Sequence, residues 1–435
     1  MLTVTDLPSF DLDGDRLVRP DFAGRGLANV APTILRLLTP SAAAITDLPP
    51  LDQMVLPESL TRGVQNVVLI LADGLGYLQL QREMAAGNAP TLADLVARAG
   101  SGSQTVSYSP ITSVFPTTTV AALGSINSAV APTAHGLLAY MLYLTEFDTV
   151  AEMIRWGPIS DRRLTFSDPQ FGCVPETFFW AETIYARLQA ADVARTFVVN
   201  PTYFAGTPLT RMLHQGATYS GYISTSSIEP IVSRLVAESQ APTYVYAYWP
   251  TVDTIAHMIG PLTTEHGAEV AALDLQLGRL LQRLPRRGDT LVLLTADHGH
   301  IDTAPEFGVD LAAHAELLAM LRVMPAGERR VVYLHPKAGL KEEVLAYARE
   351  RLGDVAATMP RDEAVALGLY GPGPLPERAA ARIGEVLLFP RRNLQLVAPV
   401  QTAEGAPTPK TPLFRGLHGG LSPDEALVPL LALRV

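Results

Sequence analysis

Two stretches of this chain are almost continuously apolar and stop on an aspartate. Asn66-Val-Val-Leu-Ile-Leu-Ala72 ends in Asp73-Gly74, and Leu291-Val-Leu-Leu-Thr-Ala296 ends in Asp297-His298-Gly299. A strand with one wet face alternates polar and apolar residues. A strand buried on both faces does not, and its usual home is a parallel sheet covered by helices. In such sheets ligands gather beyond the carboxyl ends of the strands, which is where both aspartates fall.

The remaining patterns agree with that restriction. Thr196-Phe-Val-Val-Asn200 and Tyr244-Val-Tyr-Ala-Tyr-Trp249 read as strands. Helical spacing marks residues 90–99, 181–190, 228–239 and 265–284, and residues 114–128 read as a Phe-Pro turn leading into a helix. Strands alternating with helices predict a three-layer α/β/α sandwich with a mostly parallel sheet. Residues 1–60, rich in Pro and Leu, read as an irregular lead-in. The catalytic core is assigned to 61–300 and 411–435. Between them, 301–410 reads as a smaller inserted α+β cap, with strands at 330–334 and 385–389, a helix at 340–352 and a Gly/Pro-rich stretch at 371–376.

Composition narrows the partners. The 435 residues are 48% hydrophobic, enough for a large core, and no repeat of fixed period is present. The net charge of −10 comes without any basic block, which argues against duplex nucleic acid as a partner. A small anionic substrate remains compatible because bound metal ions reverse the local field. The one cysteine, Cys173, excludes an internal disulfide. The N-terminal residues do not read as a signal peptide and no apolar run is long enough to span a membrane, so the expectation is a cytoplasmic protein.

Chemistry-bearing residues cluster at predicted strand ends. Asp253 and His257 are four apart after the aromatic strand, so a helix starting there puts both on one face. Asp297-His298-Gly299-His300 closes the second buried strand, and His418-Gly419-Gly420 lies where the core resumes. Each motif alone has a plainer reading: a turn, a surface pair, a loop histidine. Together they supply three Asp and three His, enough for two borderline divalent ions with three protein ligands each. Thr117, Thr118 and Thr119 follow Pro116 at the start of a helix, where one hydroxyl can cap and another can react. Of the other histidines, His135, His214, His266, His314 and His335 read as structural or surface groups. His300 is the one with a claim on the site.

The ordered set Asp-Gly, Phe-Pro-Thr-x-Thr, Asp-x-x-x-His, Ala-Asp-His-Gly and His-Gly-Gly resembles the alkaline phosphatase superfamily, nearest its nucleotide pyrophosphatase/phosphodiesterase branch. The resemblance covers residues 66–300 and 415–431. It implies two divalent ions, zinc first and manganese as the alternative. One ion would be held by Asp253, His257 and His418, the other by Asp73, Asp297 and His298. It implies Thr119 as the nucleophile of a covalent phosphothreonine mechanism, with Thr118 as the fallback. The branch's Phe-Pro-Asn-His after the nucleophile is Val120-Ala121-Ala122-Leu123 here, and its phosphate-binding Asn is replaced by Tyr140, whose hydroxyl is expected to donate to the substrate. These departures leave three readings. The first is a two-metal phosphodiesterase or nucleotide pyrophosphatase. The second is a phosphomonoesterase or phosphomutase drawing an extra cation from Arg155, Arg162, Arg163 or Arg211. The third is a non-catalytic metal-binding protein.

Overall fold

The computed structural model describes residues 2–39, 46–303, 305–399 and 414–435. Seven strands form the main sheet. They are β1 (Asn66–Ala72), β2 (Val106–Thr112), β3 (Arg195–Pro201), β4 (Thr218–Tyr222), β5 (Thr243–Trp249), β6 (Thr290–Thr295) and β7 (Leu427–Arg434). Their order is β2-β7-β6-β1-β5-β3-β4. β1 pairs in parallel with both β5 and β6, while β7 runs antiparallel to both its neighbours. The centre is buried on both faces, as the apolar runs require: every residue of β1, β5 and β6 is buried.

Helices cover the sheet in two groups. Pro90–Gly100, Ile228–Ala237 and Thr264–Arg283 pack among themselves, as do Val30–Leu38, Thr119–Ser128 and Ile184–Ala190. The core is therefore an α/β/α sandwich with a mostly parallel sheet. None of the helices among the described residues is long and apolar enough to cross a membrane.

A second, wholly antiparallel seven-stranded sheet lies beside the first. Four of its strands, Ala326–Gly327, Val332–Leu334, Ala356–Pro360 and Val386–Pro390, come from the stretch read as a cap. Three more, Met141–Leu144, Thr149–Glu152 and Gly157–Pro158, precede the first of those four by more than 150 residues of sequence. Gly327 pairs with Met141 to join the two sets. The end of the expected insertion, 400–410, lies outside the described residues. Residues 1–60 carry more regular structure than their composition suggests. A hairpin pairs Ser9–Leu12 with Asp15–Val18, and Val30–Leu38 buries seven of its nine residues.

Candidate two-metal site

Adjacent parallel strands end side by side, so β6, β1 and β5 deliver their following residues to one place. Asp73 leaves β1, Asp253 and His257 ride on the helix Thr251–Met258 after β5, and Asp297 and His298 leave β6. His418 arrives through a short ladder: Ile301 pairs with Leu417 and Asp302 with Gly416, clamping the segment before His418 to the segment after His300. All six expected ligands and Thr119 meet there. His298 Nε2 lies 3.4 Å from Asp73 Oδ1 and 3.5 Å from Asp297 Oδ2. His257 Nε2 lies 3.2 Å from Asp253 Oδ1 and 3.2 Å from His418 Nε2. His300, outside the expected set, stands among them with Nε2 3.1 Å from Asp253 Oδ1.

The backbone fixes the tautomer of four imidazoles. His257 Nδ1 faces Gly416 O at 2.7 Å, His298 Nδ1 faces Gly299 O at 3.2 Å, His300 Nδ1 faces Gly74 O at 3.1 Å and His418 Nδ1 faces Thr117 O at 2.8 Å. A carbonyl oxygen only accepts, so each Nδ1 carries the proton and each Nε2 turns a lone pair inward. Lone pairs then face one another and face carboxylate oxygens. Asp73 Oδ1, Asp253 Oδ1, Asp297 Oδ2 and His300 Nε2 are buried without a hydrogen-bond partner.

Burial pushes the Asp73 carboxyl well above its ordinary range, and the charges of Asp297 and Asp253 push it further. Burial works the same way on Asp253, but His257 and His300 outweigh it and hold that carboxyl well below the usual range. Burial drives His418 well below an ordinary imidazole and His300 down to about 4. A buried cluster whose carboxylate oxygens and imidazole lone pairs lack partners fits divalent cations. The ligand atoms fall into two overlapping groups, Asp253/His298/His300/His418 and Asp73/Asp297/His298, each within a 4.8 Å span.

The three threonines separate by role. Thr117 is wholly buried, donates to Gly420 O at 2.8 Å and accepts from Gly419 N at 2.9 Å, pinning the loop that carries His418. Thr118 is the N-cap residue of the helix Thr119–Ser128. Thr119 opens that helix, and its hydroxyl donates to His298 Nε2 at 3.2 Å. The amides of the first turn have no intrahelical partners and provide a place for an anion beside it.

Thr119 lines two cavities. One, of about 360 Å³, is also lined by Thr118, Tyr140, Glu328, Arg329 and His418. The other, of about 140 Å³, is mostly apolar and is lined by Leu123, Phe204, Leu213, Tyr246 and Tyr248. Tyr140 stands in the larger cavity, but its hydroxyl donates to Glu152 Oε1 at 2.7 Å, and its amide donates to Glu328 Oε1 at 2.6 Å. Of the four candidate arginines only Arg162 lines this cavity. Arg155 and Arg162 are both tied to Glu152, Arg163 to Asp161 and Arg211 to Glu176.

Two groups of the site carried no signal in the sequence. Tyr248 donates its hydroxyl to Asp73 Oδ2, and nothing distinguishes it from the other tyrosines of its strand. Glu328 overhangs the His418 loop, where a Cβ on Gly419 would lie 2.5 Å from its Cβ. Burial raises the Glu328 carboxyl to about 7.

The fold and the site define a class: a metal-dependent phosphoesterase with an alkaline phosphatase-like core. The chain belongs to the type I phosphodiesterase/nucleotide pyrophosphatase family, whose profile matches residues 67–421. Among solved structures it is similar to murine ectonucleotide pyrophosphatase/phosphodiesterase 5, an inactive form in complex with AMP. The two are 16% identical with a TM-score of 0.56, over 84% of this chain and 87% of that one. It is also similar to phosphonoacetate hydrolase from Sinorhizobium meliloti in complex with phosphonoformate. There the identity is 17% and the TM-score 0.60, over 99% of this chain and 94% of that one. No curated protein matches the chain.

Proposed function

We propose that this protein hydrolyses phosphoric diesters with Thr119 as nucleophile, forming and then hydrolysing a phosphothreonine. The observation that carries the diester reading is that Thr119 lies between two separate cavities. A diester has two substituents to house around the reacting phosphorus and a monoester has one. The solved relative that holds AMP adds support for a nucleotide arm, for which the apolar cavity with Phe204 and Tyr248 is the natural seat.

Asp253, His257 and His418 would hold one divalent ion, and Asp73, Asp297 and His298 the other. We propose zinc, because imidazole-rich donor sets suit it, with manganese as the alternative. When bound, two such ions make a hydroxyl and a water acidic and neutralise charge on the phosphoryl oxygens. The chain itself supplies the alignment. The helix start fixes Thr119 Oγ1, and the free amides behind it receive a phosphoryl oxygen. Thr119 Oγ1 forms a bond to phosphorus as the bond to one alcohol oxygen breaks, and that alcohol leaves with a proton. Water then cleaves the phosphothreonine, releasing the monoester and restoring the hydroxyl.

Thr119→Ala is expected to lower turnover of a nitrophenyl nucleotide diester by more than about 10³-fold while keeping the bound metal. Activity within tenfold of wild type would sink the covalent scheme. A second reading, a monoesterase, draws on Arg162 and Arg329 in the larger cavity. A higher kcat/KM on nitrophenyl phosphate than on the diester would favour it.

A further inference from the structure

We infer that His300 is itself a metal ligand, joining Asp253, His257 and His418 so that one ion is held by four protein groups. The inference rests on the two-ion reading and assigns unequal affinity to the two positions.

The loop after β6 turns back at Gly299, where a Cβ would lie 2.2 Å from Asp424 O and 2.8 Å from Gly76 Cα. Only a bare glycine lets the segments pass this closely, and the turn aims His300 back at the strand ends. The ring has little freedom there. It is 1% exposed, and a Cβ on Gly74 would lie 2.4 Å from its Cε1. Its Nδ1 is held by Gly74 O, and its Nε2 is buried without a hydrogen-bond partner.

Distances decide between a ligand and a bystander. A tetrahedral zinc with bonds of about 2.0–2.1 Å sets its ligand atoms roughly 3.3 Å apart. Asp253 Oδ1 lies 3.1 Å from His300 Nε2, 3.2 Å from His257 Nε2 and 3.9 Å from His418 Nε2. His257 and His418 place their Nε2 atoms 3.2 Å apart. These four separations suit such a site, with three imidazoles and one carboxylate. The Asp73/Asp297/His298 position offers only three protein ligands, so the first ion to bind goes to the His300 site.

The test loads the full-length, metal-free protein with one equivalent of zinc and counts imidazoles by X-ray absorption. Three imidazoles per zinc are expected, and two would overturn the inference. In chelator competition, His300→Gln should weaken the tighter of the two zinc affinities by at least about tenfold and leave the weaker one unchanged. An unchanged tight affinity would overturn the inference. Unfolding of the metal-free variant checks that it folds, and if it does not, the wild-type imidazole count still decides. One tightly bound zinc with three imidazoles and no second ion would remove the two-ion reading alone. A protein that binds no zinc would remove both.

Discussion

His135 offers a quantitative test of how the helix Thr119–Ser128 is held. It ends the turn Pro132–His135 and packs under Gly124 of the helix Thr119–Ser128, where a Cβ would lie 2.5 Å from the ring. Its Nδ1 accepts the Leu137 amide hydrogen at 3.1 Å, so its Nε2 carries the proton and donates to Ser125 Oγ at 3.1 Å. A second proton would set N–H against N–H inside the core. Burial accordingly lowers the imidazole to about 3. The unfolded chain, with an ordinary value near 6.5, takes up this proton first. The stabilisation is therefore complete above pH 6.5 and is lost as pH falls towards 3, at about 1.4 kcal/mol per pH unit. At pH 5 the loss is about 2 kcal/mol. His135→Gln keeps a donor and an acceptor but cannot titrate. Urea unfolding of the metal-free proteins at pH 7.5 and pH 5.0 isolates the term, because every other group titrates alike in both and cancels. The acid-induced loss should be smaller in His135→Gln by about 2 kcal/mol. Equal losses in the two proteins would refute the neutral, buried imidazole.

Other outcomes follow from the same geometry. Arg330 is buried against Glu425 at 3.1 Å, and Glu425 in turn accepts the Gly420 amide at 2.9 Å beside His418. Arg330→Met should cost about 3–5 kcal/mol in urea unfolding, because it leaves a buried carboxylate uncompensated. Zinc affinity should fall with it; a loss below about 1 kcal/mol would show that the pair is not needed. Free zinc at a thousand times its dissociation constant should stabilise the protein by about 4 kcal/mol, seen as a lower melting temperature after chelation. Identical melting with and without chelator would count against ions in this cluster.

Much of the core was legible because burial on both faces leaves a plain mark. β1 and β6 are apolar runs that end where the sheet ends, so Asp73 and Asp297 were placed by the strands that carry them. β2 left no such mark. Its sequence Val-Ser-Tyr-Ser-Pro-Ile-Thr is fully buried, yet it contains two serines and a proline. Pro110 stands opposite Pro429 of β7, so the two residues lacking an amide hydrogen share one rung of the ladder. The second sheet was hidden for another reason. Its strands are short, and the pairing of Gly327 with Met141 joins segments whose separation in sequence no local pattern reports. The ligand types were readable, whereas their orientation was not. The carbonyls that set the imidazole tautomers belong to the backbone of Gly74, Thr117, Gly299 and Gly416, and which carbonyl a ring meets depends on the folded chain rather than on a local pattern. The choice among Thr117, Thr118 and Thr119 likewise turned on contacts made across 303 and 179 positions.

The reversed strand β7 has a consequence for how the protein is made. β2 touches the main sheet only through β7, and β7 lies between β2 and β6. A segment formed early therefore joins the main sheet only through one made about 300 residues later in the chain. His418 arrives on the same late stretch. Until then Asp73, Asp253 and Asp297 lack one imidazole of their cluster, so the ligand set and the main sheet are completed by the same late stretch of chain.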